Sequence, residues 1–258
     1  MNLTFSILLV AAVMIAVEAA RPGRSWPRVA GWWGRAALLN GLQAGVAYCS
    51  AFLWDRWMAE HRPWTADALG PVAGPIAGYL TITFIYYWWH RWRHTVPFLW
   101  RWFHQVHHSP QRIEIITSFY KHPVEIVVNG ILSSAIVYFV VGLDPAGASI
   151  AVLLTGLAEL FYHWNVSTPR WLGFLVQRPE SHCIHHQEGV HSFNYADLPL
   201  WDMLFGTFRN PVRFAARCGF GPQGELRLGT MLRGVDLSRV ADRSRGLDLS
   251  RGEAGGAS

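Results

Sequence analysis

Nine histidines of this chain have the residue type and the spacing of metal ligands. One pair is separated by four positions, two triplets each follow an i, i+3, i+4 pattern, and one histidine stands alone between the triplets. Positions three and four apart share one face of a helix, so each triplet directs three imidazoles into a narrow arc. Neutral imidazole is a good ligand for iron, zinc, copper and nickel. The predicted metal ligands are His90, His94, His104, His107, His108, His163, His182, His185 and His186.

Nine imidazoles are too many for one metal ion. Divided between two ions they give four or five nitrogens each, and open positions on a metal are typical of catalytic rather than structural sites. His122 and His191 are further candidate ligands, whereas His61 is interpreted as a surface residue. Carboxylates would orient the imidazoles and offset the metal charge. The sequence offers several and does not choose among them: Glu114, Glu125, Glu159, Glu180, Glu188, Asp197 and Asp202.

The composition indicates a membrane protein. Hydrophobic residues make up 51% of the chain, charged residues only 15%, and there are 14 Trp. Soluble domains carry about 25% charged residues, and Trp is enriched at membrane interfaces. The net charge of +5 comes from Arg residues beside apolar runs, which is typical of membrane-flanking charge and argues against a nucleic-acid partner. The three Cys form no CxxC pair, so no cysteine-based zinc site is expected.

Five apolar stretches approach the roughly 20 residues that cross a bilayer as a helix. They cover residues 3–20, 36–53, 71–89, 126–143 and 147–164. The predicted fold is therefore all-α, a multi-pass membrane bundle of four to five helices with a histidine-rich helical cap. No Lys or Arg precedes residue 21, which favours an uncleaved first helix over a signal peptide.

The arginines also predict the orientation in the membrane. They are concentrated after the first and third apolar stretches, in residues 21–35 and 90–125, and positive loops face the cytoplasm. This places all nine histidines on the cytoplasmic side. They can therefore converge on one site at the inner rim of an integral membrane protein.

Several segments around these histidines resemble the fatty acid hydroxylase/sterol desaturase superfamily. They are Tyr-Tyr-Trp-Trp-His-Arg-Trp-Arg-His at 86–94, His-Gln-Val-His-His-Ser at 104–109, Lys-His-Pro-Val-Glu at 121–125, Phe-Tyr-His-Trp-Asn at 161–165, His-Cys-Ile-His-His at 182–186, Asn-Tyr at 194–195 and Trp-Asp-Met-Leu-Phe-Gly-Thr at 201–207. The resemblance covers about residues 80–210. It includes, in order, three histidine clusters at 90–94, 104–108 and 182–186, called histidine boxes from here on.

The resemblance implies a non-haem di-iron enzyme with two iron ions and O₂ as co-substrate, in which the boxed histidines are the iron ligands. Such enzymes hydroxylate, or sometimes desaturate, a lipid such as a fatty acyl chain, a sterol or a carotenoid. Their electrons come from a separate reductase, ferredoxin or cytochrome. Two positions depart from the family pattern: Ala196 stands where members often have Gly, and Ser167 where some have a second histidine. His122, His191 or water would then complete the ligand set of the second iron.

The same reasoning divides the chain into three parts. Residues 1–75 are predicted to form N-terminal membrane helices, residues 76–210 the fatty acid hydroxylase-like di-iron catalytic domain, and residues 211–258 a polar, mobile tail.

Two other classes of protein are weighed against the oxygenase. A histidine-rich metal transporter would favour ionisable residues near the bilayer midplane, and a haem electron carrier with two histidine ligands leaves the other boxes unexplained. A zinc-dependent membrane hydrolase would need a general base such as the Glu of HExxH, a motif that this sequence lacks.

Overall fold

Every regular element of the described chain is a helix. The computed structural model describes residues 3–190 and 192–238, and within them the all-α prediction is confirmed. The α-helices are α1 Leu3–Ala20, α2 Trp32–Ser50, α3 Arg56–Glu60, α4 Gly70–Thr95, α5 Pro97–Leu99, α6 Gln105–His108, α7 Pro123–Ala135, α8 Pro145–Tyr162, α9 Pro179–His185, α10 Pro199–Leu204, α11 Gly221–Glu225 and α12 Leu228–Met231. Short π-helical segments cover Ala51–Asp55, Trp100–His104 and Ile136–Val141, and 3₁₀ turns cover Asp67–Leu69, Ile115–Thr117 and Arg170–Phe174.

Four helical segments are long and apolar enough to cross a membrane. They are Trp32–Glu60, Asp67–Thr95, Pro123–Val141 and Pro145–Tyr162, and only 11% to 33% of each apolar window is buried inside the protein. Apolar helix faces left uncovered by protein are what a lipid environment requires. The second to fifth predicted apolar stretches therefore correspond to spanning helices. The first forms α1, which includes the apolar helical segment Val10–Ala20.

Local sequence signals begin the last two spanning helices. α7 and α8 both start with a proline, whose missing N–H costs nothing in the first helical turn. The Asp144 carboxylate accepts hydrogen bonds from the N–H groups of Ala146 (2.8 Å) and Gly147 (3.1 Å), as an N-cap does. Just before this cap, Gly142 has a left-handed φ of 81°, which turns the chain. These local signals thus separate the last two spanning helices and begin α8.

Small residues let α4 pack closely along α8. A Cβ placed on Gly78 would lie 2.7 Å from Leu143 Cδ1 and 2.9 Å from the Ala151 Cβ, both closer than atoms approach in proteins. Close backbone approach through small residues is how membrane helices associate, because apolar contact alone gives no preference over lipid. Gly78 therefore helps set the distance between the helices whose C-terminal ends carry His90, His94 and His163.

α1 is tied to the histidine-bearing end of the bundle. Glu18 accepts hydrogen bonds from the backbone N–H groups of Ile115 (3.0 Å) and Asn165 (2.8 Å). The indole of Trp164 donates to the carbonyl of Met14 at 2.8 Å. The first helix thus supports the segment that directly follows His163.

The chain after α10 returns to the bundle. Leu228, Met231 and Leu237 are buried in one apolar cluster with Trp32 of α2 and Val106 of α6. The described part of the segment predicted to be a polar tail, residues 211–238, therefore packs as part of the folded protein. The sequence did not indicate this packing, because the leucines of the segment are sparse among Arg and Gly. Residues 239–258 lie outside the described chain.

Replacing Gly78 with Leu is expected to destabilise the bundle by about 1–3 kcal/mol, because the side chain must push α4 away from α8. Gly45→Leu is the matched control, since Gly45 lies on an exposed helix face where an added Cβ would have nothing within 4 Å. Thermal unfolding in detergent micelles measures both. Equal unfolding midpoints for the two variants would contradict the packing described.

Candidate metal centre

All nine predicted ligands come together at one end of the spanning helices. They lie at the C-terminal ends of α4 and α8, in or beside α6, and in or just after α9. They form two groups, and within each group one ring nitrogen per residue lies within 4.8 Å of all the others. The first group is His90, His94, His104, His108 and His185, and the second is His107, His163, His182 and His186.

Backbone carbonyls fix the orientation of three of these rings. His90 Nδ1 lies 2.6 Å from the Tyr195 carbonyl oxygen, and His185 Nδ1 lies 2.7 Å from that of Phe193. His163 Nδ1 lies 2.9 Å from the carbonyl oxygen of Glu159. A carbonyl oxygen can only accept, so Nδ1 carries the proton in each ring. The Nε2 atoms are then left with their lone pairs directed into the groups.

In the first group these lone pairs face one another. His90 Nε2 lies 2.9 Å from His185 Nε2 and 2.8 Å from His104 Nε2. Because Nδ1 holds the only proton of both neutral His90 and neutral His185, no hydrogen bond can join their Nε2 atoms. Two lone pairs at this distance repel unless a cation lies between them. The arrangement therefore fits a bound metal ion.

Short separations between Nε2 atoms also occur in the second group. His182 Nε2 lies 3.1 Å from the Nε2 atoms of both His163 and His186, and His163 Nε2 lies 3.3 Å from His107 Nε2. Burial lowers the pKa of His163 to about 3 and the pKa values of His107 and His182 well below the usual value. These rings stay neutral at physiological pH, which is the form that binds a metal.

The separations between neighbouring Nε2 atoms are short enough for them to bind one ion. Two nitrogens each about 2.1 Å from one ion are about 3.0 Å apart at a right angle and about 3.4 Å apart at a tetrahedral angle. The nearest Nε2 pairs of both groups are 2.8 to 3.3 Å apart.

Glu125 is the carboxylate that directly contacts a predicted ligand. Its Oε1 accepts a hydrogen bond from His104 Nδ1 at 3.1 Å and pairs with Arg93. Both members of this ion pair are buried. Glu125 thus orients His104 as the carbonyls orient the other rings, with the proton on Nδ1 and Nε2 directed at the first group.

Asp202 supports a predicted ligand indirectly, through a backbone loop. Its carboxylate accepts from the N–H groups of Tyr195 (2.9 Å) and Ala196 (3.0 Å) and from the Thr207 hydroxyl (2.6 Å). Burial raises the pKa of Asp202 to about 6. These bonds hold the loop whose Tyr195 carbonyl orients His90. Within the described residues, Asn194 is the non-glycine residue of this loop with a left-handed φ, 56°, so Ala196 needs no glycine-like conformation.

The remaining candidate carboxylates divide into two sets. Three hold the protein together elsewhere: Glu114 pairs with Arg112, Glu180 with Arg178, and Glu188 with Arg217. The other two lie beside the second group: Glu159 pairs with Lys121, and Asp197 bonds with Tyr162. Burial raises the pKa of Asp197 to about 7.

His122 lies outside both groups. Its Nδ1 accepts from the Val124 N–H at 3.1 Å and caps α7, and its Nε2 lies 3.3 Å from the Leu232 carbonyl oxygen. Because both ring nitrogens have these partners, its role here is helix capping and attachment of the C-terminal segment. His191 lies outside the described residues.

A cavity of about 720 Å³ joins the histidines to the membrane-spanning region. This volume lies within the range of ligand sites. At one end it reaches His90, His104, His107 and His182. Beyond them its wall comes from α2, α4, α7 with its π-helical continuation, and α8, where the apolar side chains of Ile82, Ile126, Val137, Val152 and Leu153 lie among polar ones such as Asn129 and Ser133. The cavity thus offers the histidine groups a hydrocarbon-sized approach from within the membrane.

The fold and the site define a helical membrane protein with two histidine clusters that could bind metal. The Fatty acid hydroxylase family model matches residues 75–207, just over half of the 258-residue chain, and the chain belongs to this family. The matched region contains all nine predicted ligands.

Curated relatives agree with this family. Alkylglycerol monooxygenase of Homo sapiens is 26% identical over 161 residues, and that of Danio rerio is likewise 26% identical over 161 residues. The Xenopus tropicalis protein of the same name is 24% identical over 164 residues. Each alignment covers 61% of this chain but 34% of the relative, so the chain spans about a third of their length. No solved structure gives a significant match.

Replacing Glu125 with Gln is expected to weaken metal binding by about 10- to 100-fold, because His104 loses the carboxylate that orients it. Glu60→Gln is the control, since Glu60 is exposed and pairs with Arg56 one helical turn away. Competition for iron between the full-length protein in detergent and a chelator of known affinity gives the iron affinity of both variants. An unchanged affinity in Glu125→Gln would show that this carboxylate does not support the centre.

Proposed function

We propose that this protein is an O₂-dependent, di-iron membrane oxygenase that hydroxylates, or desaturates, an unactivated C–H bond of a lipid. The observation that carries the proposal is the pair of adjacent, buried imidazole groups at the end of an apolar cavity between membrane-spanning helices. The family supports iron-dependent oxygen chemistry for such a centre.

The donor sets favour two iron ions over the alternatives. Five and four imidazoles exceed the two axial ligands of a haem, and zinc sites are almost always tetrahedral. Imidazole is a good ligand for iron, and the group of five exceeds the four ligands of a tetrahedral ion. Nitrogen-only ligands also leave positions for O₂ or water.

Iron held in these groups would supply the reduction of O₂ and the oxidation of the C–H bond. The chain's own residues hold and orient the site: carbonyls and Glu125 keep the imidazole Nε2 atoms directed inward. Burial excludes bulk water from the two groups. The apolar walls guide a hydrocarbon chain toward His107 and His182.

The substrate is a membrane lipid, and the relatives' name makes an alkylglycerol the first compound to test. Fatty acyl chains, sterols and carotenoids are the other classes. A separate reductase, ferredoxin or cytochrome supplies electrons, because the chain has three Cys, of which Cys183 and Cys218 lie together, and an iron–sulfur cluster needs four. The arginine pattern supports a centre that faces the cytoplasm, with residues 76–210 as the catalytic domain.

His107→Ala is expected to reduce turnover at least about a hundredfold, since it removes a ligand of the second group and ligand-supporting contacts alone carry 10- to 100-fold effects. His61→Ala is the control, because His61 is exposed and remote from both groups. The assay is lipid mass spectrometry under ¹⁸O₂ with a reconstituted electron donor. Full activity in His107→Ala would refute its role as a ligand. A product formed without O₂ would refute the oxygenase.

A further inference from the structure

The far end of the cavity carries a polar cluster that the chemistry at the metal groups does not use. It consists of Ser50, Trp54, Asp55 and Ser134, all of which line the cavity. The Ser50 hydroxyl donates to Asp55 Oδ2 at 2.6 Å, and Ser134 bonds Asp55 Oδ1. The Trp54 indole donates to the Ser134 hydroxyl at 3.0 Å. We name these four residues the Asp55 cluster.

The Asp55 carboxylate can accept further hydrogen bonds. A carboxylate has about four lone-pair positions, and the two serine hydroxyls occupy two of them. Within residues 3–190 and 192–238, no basic side chain forms an ion pair with Asp55. The residue is half-buried in the helical segment Trp32–Glu60, two positions beyond the apolar stretch 36–53, and the next residue, Arg56, is exposed. Its carboxylate therefore lies near the polar end of this segment.

Helix geometry gives the distance between this cluster and the metal groups. Glu125, which contacts His104, and Ser134 both lie on α7 and are nine positions apart. At 1.5 Å per residue they are separated by about 14 Å along the helix axis. This is close to the depth of one leaflet, half of the roughly 30 Å hydrocarbon core. Between these two positions α7 contributes Ile126, Asn129, Gly130 and Ser133 to the cavity wall, and the side chains of Asn129 and Ser133 are hydrogen-bonded to Trp89 and Tyr86.

We propose that the Asp55 cluster binds a hydroxyl group of the lipid that occupies the cavity, about one leaflet depth from the carbon that is oxidised. An ionised carboxylate accepts but does not donate, so it selects a donor. A hydroxyl meets this need at lower desolvation cost than an ammonium group inside a membrane. The oxidised carbon then lies far from this hydroxyl. The predicted position of oxidation rests on the proposed function, whereas the predicted hydroxyl-binding site at Asp55 does not.

The test compares two probes that differ by one hydroxyl, tritiated 1-hexadecanol and tritiated hexadecane. Binding to the metal-loaded, full-length protein in detergent is measured by scintillation proximity. The native protein is expected to bind the alcohol about 10- to 100-fold more tightly than the alkane, as for a hydrogen bond to a charged group. Asp55→Asn is expected to lose at least about tenfold of this preference while hexadecane binding stays unchanged.

Two further variants keep the test decisive. Asp67→Asn changes an exposed carboxylate outside the cavity and should retain the preference. Ser50→Ala frees one acceptor position on the Asp55 carboxylate, so it is expected to raise the preference for the alcohol, and this tests the site even if Asp55→Asn fails to fold. No preference in the native protein, a preference retained in Asp55→Asn, or one lost in Ser50→Ala would overturn the proposal.

Product analysis separates this inference from the proposed function. If a hydroxyl-bearing lipid is oxidised, the new oxygen should be far from the original hydroxyl, and oxidation at the adjacent carbon would overturn the predicted placement. Absence of any oxygenation would overturn the oxygenase proposal while leaving the alcohol preference and its dependence on Asp55 as a binding result.

Discussion

The structure depends on keeping neutral imidazole lone pairs together in a buried space. His90 and His185 both donate Nδ1–H hydrogen bonds to backbone carbonyls, yet their Nε2 atoms lie 2.9 Å apart. Without a cation this contact is repulsive, and burial lowers the pKa values of neighbouring rings such as His104 and His108, so protonation does not relieve it. The surrounding fold must therefore hold these rings in place by other contacts.

Those contacts come from distant parts of the chain. α4 and α8 pack through Gly78 and carry histidines at their C-terminal ends. Glu125 at the start of α7 orients His104, and Asp202 holds the loop that orients His90. The same helices enclose the cavity, so one bundle both positions the imidazoles and admits a membrane ligand to them. Fold and site are in this sense a single arrangement.

Much of this arrangement could be predicted from the sequence, because helical periodicity and box spacing are local properties. The apolar lengths predicted the four spanning helices, whereas each i, i+3, i+4 triplet, predicted to direct its three rings into one arc, divides between the two groups. The division into groups of five and four depends on tertiary packing. The carbonyl acceptors of Phe193 and Tyr195 have no side-chain signal, and seven carboxylates were equivalent until the fold singled out Glu125. His122 shared the residue type of a ligand but caps a helix, which spacing alone does not reveal.

The most direct test of the central claim is the metal content of the purified full-length protein, measured together with its visible spectrum. The account predicts about two iron ions per chain, divided between the five-histidine and four-histidine groups, and no haem absorbance. A haem spectrum, a single zinc ion per chain, or an iron-loaded protein with no histidine nitrogen in the iron X-ray absorption spectrum would contradict it.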